Sequence, residues 1–511
     1  MISVSGLARM ARWAVGLALP LAGAAPAREA SAGGVVISLP ALDCDHRDVR
    51  EAFRIALGDI VTNIRPYVGG INESAVPVLL AGLRYPTPWT RDSAVNAWNG
   101  LSLIAPGVAA NNFRAVLQRE DGRVLIGGEY WDAVVWIPAA WHHYLCTGDR
   151  DFLAFARQVG ADTLRQREEN EYDAADGLFR GPGWSDGVAA YPDRYAQAGR
   201  SAILAWLERH PDKRVKPGVG FPMKALSTNC LYFSAYQTMA RMERALGRDG
   251  SPAWDKRAAR LKDAINRQLW NEAAGNYRFF VDPEGPCELQ EGLGAAYAIL
   301  FGIADARQAA SVFARQHVTP AGLPCGWPNL PRYERPDGQS FGRHIGTVWP
   351  QIQGFWAEAA ARHGRVDLLQ HELFTLARHA VRDLQFAELY HPLTGESYGG
   401  LQEGPSGEGI ILWESQPRQS WAATAFVRMV LHGVVGLRVE EDGLRFAPCV
   451  PPGLGRILVR GLRYRERDLS IEIDGQGTRL AQGRVDGRAP SGAFVPAPGS
   501  GPIRVELKVS D

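Results

Sequence analysis

The sequence predicts a mainly α-helical protein, a barrel of six helical hairpins written (α/α)6, followed by a small β-domain. Three observations lead to this prediction. Hydrophobic residues recur with helical spacing in about twelve stretches, and apolar helices alternate with charged ones. Near residue 437 the helical spacing gives way to an alternation of apolar and polar residues. With 511 residues, the chain is long enough for one large domain and a smaller satellite.

The helical stretches are separated by loops rich in Gly, Pro, Asp and Trp. An Ala-rich helix such as LGAAYAILFGIA is followed by a charged one such as DARQAASVFARQ, as expected if buried inner helices are wrapped by half-solvated outer ones. Loops at the open end of such a ring can carry functional residues. The predicted helices cover residues 47–64, 92–105, 130–146, 150–170, 198–209, 226–247, 253–270, 288–302, 306–317, 346–363, 366–383 and 418–433.

The C-terminal part of the sequence is typical of β-strands. From about residue 437, apolar and polar residues alternate between Gly and Pro turns, and IRVELKVS closes the series. Residues 33–45 also look extended. We therefore expect a helical domain over residues 33–436 and a β-domain over residues 437–511.

The N-terminal residues 1–32 resemble an export signal. Arg9 and Arg12 precede the apolar run WAVGLALPLAGAA, which ends in two small-residue cleavage candidates, Ala25-Pro26-Ala27 and Ala30-Ser31-Ala32. The run is too short to span a bilayer permanently. We expect a periplasmic or secreted mature protein that is not membrane-bound.

Charge and cysteine content narrow the possible partners. Lys and Arg number 56 against 55 Asp and Glu, so the formal net charge of +1 gives no reason to expect nucleic acid as a partner. The six cysteines show no C-x-x-C spacing, and no Gly-rich phosphate loop is present, so neither metal nor cofactor is expected. Cys146 and Cys230 fall in apolar helical stretches, where buried free thiols are expected. The 15 tryptophans suit a sugar substrate, because indole faces stack on the C–H faces of sugars.

The first motif, Trp89-Thr90-Arg91-Asp92-Ser93-Ala94, stands at the start of a helix. Asp92 or Ser93 could simply cap that helix. Trp, Arg and Asp also combine a stacking face, a donor fork and an acceptor, which suits a sugar. The string WTRDSA resembles the signature of inverting glucoamylases, and its Arg-Asp pair is found in amylo-α-1,6-glucosidase and other six-hairpin glycosidases. The resemblance implies that Arg91 and Asp92 bind the terminal glucose, with Trp89 beside them.

The second motif lies at residues 386–396, FAELYHPLTGE. It is similar to the E-x-Y-x-P-x-T-G segment that carries the catalytic base in glucoamylases and processing α-glucosidases, which implies that Glu388 is the base. An inverting mechanism needs one carboxylate to activate water, about 6.5–9.5 Å from the carboxyl group of the acid. Without the motif, a Glu in a loop would be expected to be merely solvated.

A third string, Pro417-Arg418-Gln419-Ser420-Trp421-Ala422-Ala423, heads the last predicted helix. It resembles the P-Q-A-W-A-A motif of debranching-type glucosidases, which supports Glu388 and adds Gln419 and Trp421 to the binding residues. Glu414 is the alternative base, since related rhamnosidases carry a Trp-Glu pair late in the chain.

The acid is expected on a Gly-rich loop at residues 176–187, DGLFRGPGWSDG. The related families place their acid midway round the barrel, which implies Asp186, with its pKa raised by burial against Trp184 or by another carboxylate. The general acid is a Glu in glucoamylases and an Asp in the processing-glucosidase group. Asp132 is the alternative, and an Asp before Gly can also be a turn former.

Further tryptophans could line the pocket. The segment FGRHIGTVWP at residues 341–350 is similar to the N-G-S-V-W-P motif of the same superfamily, which suggests His344 and Trp349, although Trp349-Pro350 could only start a helix. Trp131 and Trp327 are additional candidates for stacking platforms.

The resemblance covers residues 85–436, with the motifs in the order found in these families. It implies an inverting, exo-acting glycoside hydrolase that takes an oligosaccharide or glycoside and releases terminal glucose from an α-glucoside. Two enzyme alternatives remain open: the same fold acting on rhamnose or another hexose, and an inverting disaccharide phosphorylase, whose β-domain string is similar. A carbohydrate-binding protein without turnover is the non-enzymatic alternative. Linkage, aglycone and oligomeric state do not follow from the sequence.

Overall fold

The computed structural model describes residues 28–33, 35–128, 131–183, 190–193, 195, 222–404, 407–489 and 493–511. Eleven predicted helices are confirmed with ends within four residues, and the one predicted at 198–209 lies outside the described residues. The helices are α1 Arg47–Asn63, α2 Thr90–Asn96, α3 Pro106–Ala115, α4 Trp131–Thr147, α5 Arg150–Glu171, α6 Leu226–Ala245, α7 Ser251–Leu269, α8 Gly292–Leu300, α9 Ala306–Arg315, α10 Pro350–Arg362, α11 Val366–Asp383 and α12 Ser420–Arg428.

Two of these helices continue through π-helical turns. The π turn at Ala97–Leu101 extends α2 and leads into a short helix at Ser102–Ile104, and the turn at Met429–Val434 extends α12. A 3-10 turn occupies Pro331–Tyr333. Helix starts follow ordinary capping chemistry: Asp149 accepts from the Phe152 amide ahead of α5, and Asp305 and Gln308 form a capping box at α9.

The even-numbered helices pack side by side. Each of α2, α4, α6, α8 and α10 contacts the next even-numbered helix, and α12 contacts α2. Odd-numbered helices pack on several of them, as α5 and α7 do on α6, and α11 on α10. The even-numbered helices are the more deeply buried: every residue of α2 is buried, whereas α7 buries six of its 19 residues. This is the alternation of apolar and charged helices expected from the sequence.

Helix α3 is absent from the sequence prediction. Its sequence, PGVAANNFRA, contains a Pro-Gly pair and two adjacent asparagines, which favour turns. Pro106 is tolerated because it sits in the first turn, where its missing N–H is not needed. Asn112 is buried because it pairs with the strand residue Leu79, accepting from its amide and donating to its carbonyl, both at 2.8 Å. A long-range partner therefore satisfies a side chain that locally favours a turn.

Outside the C-terminal region the strands are short and pair in twos and threes, most of them as hairpins and two pairings, β10–β13 and β15–β16, across a pair of helices. In the C-terminal region a five-stranded sheet has the order β23-β25-β22-β21-β3, with β22 and β25 parallel. Strand β3 comes from the extended N-terminal segment, so residues on both sides of the helices build this sheet. The strands are β1 Arg28–Ala32, β2 Val35–Leu39, β3 Ala41–Asp43, β4 Ile64–Gly69, β5 Asn72–Leu79, β6 Leu117–Glu120, β7 Arg123–Ile126, β8 Tyr172–Asp173, β9 Leu178–Phe179, β10 Lys224–Ala225, β11 Trp270–Asn271, β12 Asn276–Tyr277, β13 Phe280–Asp282, β14 Gly285–Cys287, β15 Gln290–Glu291, β16 Gly326–Trp327, β17 Leu401–Glu403, β18 Ile410–Leu412, β19 Leu437–Val439, β20 Gly443–Phe446, β21 Ile457–Tyr464, β22 Arg467–Gly475, β23 Arg479–Val485, β24 Val495–Pro496 and β25 Ile503–Ser510.

Within the described ranges, no helix has the length and apolarity needed to cross a membrane. Cys146 and Cys230 are buried, unpaired thiols, as predicted.

Candidate active site

The loops that precede the even-numbered helices contact one another at one end of the helical domain. Thr90 Oγ1 at the start of α2 donates to Gly127 O ahead of α4 at 3.0 Å, and Trp131 Nε1 of α4 donates to Gly183 O in the loop ahead of α6 at 3.1 Å. The Ser227 amide of α6 donates to Glu291 Oε2 ahead of α8 at 3.0 Å. The rings of Trp349, ahead of α10, and Trp421, in α12, are 4.7 Å apart, and the Ser420 amide of α12 donates to Ala81 O ahead of α2 at 2.7 Å. The candidate residues that the structure describes lie at this end.

Glu388 lies in the loop between α11 and α12 and is only 4% exposed. Arg343 Nη2 donates to both carboxylate oxygens at 2.8 Å, and the Gln416 amide donates to Oε2 at 3.1 Å. A buried carboxylate of this kind is tolerated because a buried guanidinium compensates its charge. The motif residue is therefore a fixed, charge-paired group, unlike the solvated loop Glu that would be expected without the motif.

The backbone around Glu388 is anchored on both sides. The Phe386 amide donates to Asp59 Oδ2 at 2.8 Å, and the Leu389 amide donates to Ser415 Oγ at 2.9 Å. The Glu388 amide itself donates to the Gln416 carbonyl at 2.9 Å. Burial raises the pKa of Asp59 to about 6, although Arg418 and the Phe386 amide oppose this shift. These bonds fix the direction in which the Glu388 side chain leaves the loop.

Arg343 is a site residue that the sequence analysis missed, because only His344 was selected from its motif. Besides holding Glu388, Arg343 Nη1 donates to the carbonyls of Gly399 at 2.9 Å and Glu414 at 3.2 Å. The available signal was an arginine inside a mainly apolar motif. Such a residue is buried only with a carboxylate partner.

Glu414, the alternative base, is placed differently. Its side chain is 58% exposed and forms an ion pair with the equally exposed Arg84. An exposed pair contributes little energy and holds its members loosely. Of the two candidates, Glu388 is the one held rigidly and away from bulk water.

The predicted sugar clamp occupies the first turn of α2. Arg91 and Asp92 are both buried, and Trp89, which precedes the helix, is 44% exposed with the Arg91 guanidinium 5.6 Å from its ring centroid. Arg91 Nη1 lies 3.6 Å from Oδ1 of Asp132, the alternative acid. Sequence motifs about 40 residues apart thus meet at one point. Asp92 does not cap α2 with its side chain, because Trp89 is the residue at the cap position.

Trp184 and Asp186 lie outside the described residues. The start of their loop is described, and it lies at the same end as Glu388. The Gly183 carbonyl accepts from Trp131 Nε1, and the Pro182 carbonyl accepts from the Thr228 hydroxyl. The predicted acid loop therefore begins against α4 and α6.

Buried aromatic residues connect α10 to α12. His344 stacks on Trp349 at 5.0 Å, and Trp349 meets Trp421 edge-on at 4.7 Å. Gln419, oriented to accept from Trp421 Nε1 at 3.0 Å and donate to Ala81 O at 2.8 Å, links this group to the segment ahead of α2. Trp349 also precedes Pro350 at the start of α10, so the helix-start interpretation holds too.

Trp131 and Trp327, the further stacking candidates, are both placed at this end. Trp131 is buried, and its indole N–H donates to the Gly183 carbonyl, so its position is fixed by the surrounding protein. Trp327 is half-buried and stacks on His317 at 4.2 Å, which occupies one of its faces.

Glu291 is a second residue that the sequence analysis missed. It precedes α8, it is fully buried, and its Oε2 accepts from the Ser227 amide at 3.0 Å. Burial raises its pKa to about 8, against the opposing hydrogen bonds from Ser227. A Cβ built on Gly183 would lie 3.1 Å from Glu291 Oε1, so this carboxyl group packs against the start of the acid loop. No local sequence pattern marks it, because its neighbours come from two other loops.

Within the part of the chain that the structure describes, no group of three or more His, Cys, Asp or Glu residues is arranged to hold a metal ion. The chemistry available at this end is that of carboxylates, guanidinium groups and aromatic rings.

Carboxylates gathered with tryptophans and arginines at one end of a helical domain are compatible with a glycoside hydrolase, which uses two carboxyl groups. Residues 85–422 match the family described as mannosylglycerate hydrolase MGH1-like glycoside hydrolase domain, and the chain belongs to this family. Residues 437–490 match the C-terminal domain of glycosyl hydrolase family 65, which agrees with the separate β-rich C-terminal region.

Known proteins of similar sequence or fold include several glycosidases. A mannosylglycerate hydrolase of Rubrobacter radiotolerans is 28% identical over 220 residues, covering 41% of this chain and 47% of that protein. The GH63 mannosylglycerate hydrolase of Thermus thermophilus in complex with glucose is similar in fold, with a TM-score of 0.56 and 15% identity over 74% of this chain and 99% of that chain. A GH78 rhamnosidase of Bacillus sp. GL1 gives a TM-score of 0.59 with 14% identity, covering 92% of this chain and 44% of that chain.

The raised pKa of Glu291 predicts a pH-dependent stability. Because the folded state binds this proton more tightly than the unfolded state, wild-type stability should fall as pH rises from about 4.5 to about 8. Glu291→Gln removes the titration, so this fall should shrink by up to a few kcal/mol. Urea unfolding at pH 5 and pH 8 measures the difference. The control Glu414→Gln should keep the wild-type slope, and an unchanged slope in Glu291→Gln would contradict the prediction.

Proposed function

We propose that this protein is an inverting, exo-acting glycoside hydrolase that releases one terminal hexose from a short α-glycoside. The observation that carries the proposal is the buried Glu388 carboxylate, held by Arg343 and by an anchored loop at the end of the domain where Arg91, Asp92 and Asp132 also lie. Burying a charged group costs free energy, and such groups are concentrated at active sites. The (α/α)6 barrel is part of the proposal, supported by the cycle of contacts among the even-numbered helices.

The proposed mechanism is a single displacement. Glu388 takes a proton from a water molecule, whose oxygen attacks the anomeric carbon on the face opposite the leaving group. The bond from that carbon to the aglycone oxygen breaks, and the acid delivers its proton to this oxygen. Arg91 and Asp92 hold hydroxyl groups of the terminal sugar, and Trp89 offers the exposed aromatic face.

Substitution of the base tests the proposal. Glu388→Gln keeps the shape of the side chain but cannot take the proton from water, so kcat should fall by about 10²- to 10⁴-fold. The matched control is Glu414→Gln, which changes an exposed carboxylate on a neighbouring loop and should leave kcat within about two-fold of wild type. Circular dichroism establishes that both variants fold. If the control loses activity and Glu388→Gln keeps it, the base is wrongly assigned.

The acid is proposed to be Asp186, with Asp132 as the alternative. Arg91 lies 3.6 Å from Asp132, a neighbour that favours a sugar-binding role for this carboxylate over a proton-donating one. Asp186→Asn should therefore lose activity on substrates with poor leaving groups and recover most of it on aryl glycosides with good ones. Asp132→Asn should weaken binding for both substrate types, seen as a raised KM. The reverse pattern would assign the acid to Asp132.

Two kinds of substrate, a glucoside and mannosylglycerate, are each supported by a different observation. The Arg91-Asp92 motif favours terminal glucose, whereas the family match and the R. radiotolerans relative favour mannosylglycerate. We expect mannosylglycerate to give the higher kcat/KM of a panel that includes maltose, isomaltose and glucosylglycerate, because the family match covers the whole candidate site. A rhamnoside as the best substrate, or activity only with added phosphate, would overturn the proposal.

We also propose export to the periplasm or the outside of the cell. The second cleavage candidate, Ala30-Ser31-Ala32, lies within strand β1, so cleavage at the first candidate, Ala25-Pro26-Ala27, would preserve the β1–β2 pair. Mass spectrometry of the mature N-terminus tests this. A cytoplasmic protein that retains residues 1–27 would contradict it.

A further inference from the structure

A cavity of about 570 Å³ lies at the other end of the helical domain, where the even-numbered helices finish. Its walls are the C-terminal parts of α4, α6, α8, α10 and α12, together with the turn that joins β19 to β20. We call it the basal cavity. None of the candidate active-site residues lines it.

A single buried carboxylate at the basal cavity faces three guanidinium groups. Arg362 Nη2 donates to Glu358 Oε1 at 2.6 Å, Arg428 Nη2 lies 2.5 Å from Glu358 Oε2, and Arg438 Nη1 lies 3.9 Å from Oε1. Arg428 and Glu358 are almost completely buried. Burial, followed by repulsion from Arg362, lowers the pKa of Arg438 to about 10. The positive charge here exceeds what Glu358 can balance.

Acidic residues at the mouth do not remove this excess. Glu440 and Asp442 line the cavity, but Arg445 binds both of them at 2.6 Å from outside the lining. Glu441 at the mouth balances a fourth lining arginine, the solvent-exposed Arg241. Counting Arg445, five arginines stand against four carboxylates, which leaves one net positive charge.

Three buried polar atoms of residues that line the cavity have no hydrogen-bond partner among the described residues, namely the donor Arg428 Nε, together with His432 Nε2 and Glu358 Oε2. His432 bonds through Nδ1 to the Leu437 carbonyl at 3.0 Å, so its Nε2 is an acceptor. Burial lowers the pKa of His432 to about 4, which keeps the ring neutral. The groups that the cavity wall presents are therefore guanidinium donors, which suit an anion, and carboxylate acceptors, which suit hydroxyl groups.

We propose that the basal cavity is a second ligand site, separate from the active site, that binds a small hydroxylated anion such as a sugar phosphate or a sugar acid. The arginines would bind the anionic group, and carboxylates at the mouth, such as Glu441, would accept from hydroxyl groups. The volume fits such a ligand, since binding pockets commonly measure about 300–1,000 Å³. Arginines at helix C-termini also offset the helix dipoles, but that role does not require a cavity or more positive than negative charge around it.

Isothermal titration calorimetry of the full chain at constant ionic strength tests this site. The probes are glucose 6-phosphate, gluconate and inorganic phosphate, with glucose as the neutral control. Saturable binding of glucose 6-phosphate or gluconate is expected, with little or none for glucose. Whichever of glucose 6-phosphate and gluconate binds more tightly shows whether the site prefers a phosphate or a carboxylate. Inorganic phosphate shows how much of the affinity comes from the anionic group without hydroxyl groups.

Matched variants locate the binding. Arg241→Gln and Arg438→Gln should each weaken it about ten-fold or more, the usual cost of losing a charged hydrogen bond. Arg463→Gln is the control, because its exposed pair with Asp468 lies outside the cavity. Glu388→Gln should bind like wild type, which makes the result independent of the proposed catalytic role. The proposal is overturned if no charged probe saturates, or if both cavity variants bind as tightly as the control.

Discussion

The ion pair between Arg343 and Glu388 is the constraint around which the candidate active site is organised. A carboxylate that is 4% exposed needs a compensating charge, and Arg343 supplies it while also donating to the carbonyls of Gly399 and Glu414. One guanidinium therefore ties the segment ahead of α10 to three points, residues 388, 399 and 414, of the connection between α11 and α12. The carboxylate cannot be moved or removed without leaving the buried arginine unbalanced.

The helical domain makes this arrangement possible. Because the loops ahead of successive even-numbered helices contact one another, residues from positions 81 to 421 meet at one end. The rigid helices hold the loops, and the loops supply the polar groups. The other end carries the arginine-rich basal cavity. The two ends differ in chemistry although the same helices build both.

Sequence patterns predicted the features whose cause is local. Helical periodicity located α1 and α11 almost to the residue, and the motif around Glu388 pointed to a carboxylate that proves to be buried and fixed. Arg343 and Glu291 were missed because their surroundings come from distant loops, and burial that raises a pKa has no sequence signature. Helix α3 was missed for the same reason, since Leu79 satisfies its Asn112. The acid remains a prediction, because Asp186 lies outside the described residues.

The membership of the MGH1-like glycoside hydrolase family supports glycoside hydrolysis, and inversion with Glu388 as the base is our proposal. Proton NMR of the first sugar released, recorded before mutarotation, measures the stereochemistry of the reaction directly. An α-glycoside should give the β-anomer first, since water activated by Glu388 attacks from the face opposite the leaving group. Initial release of the α-anomer would mean a double displacement, and the role assigned to Glu388 would be wrong.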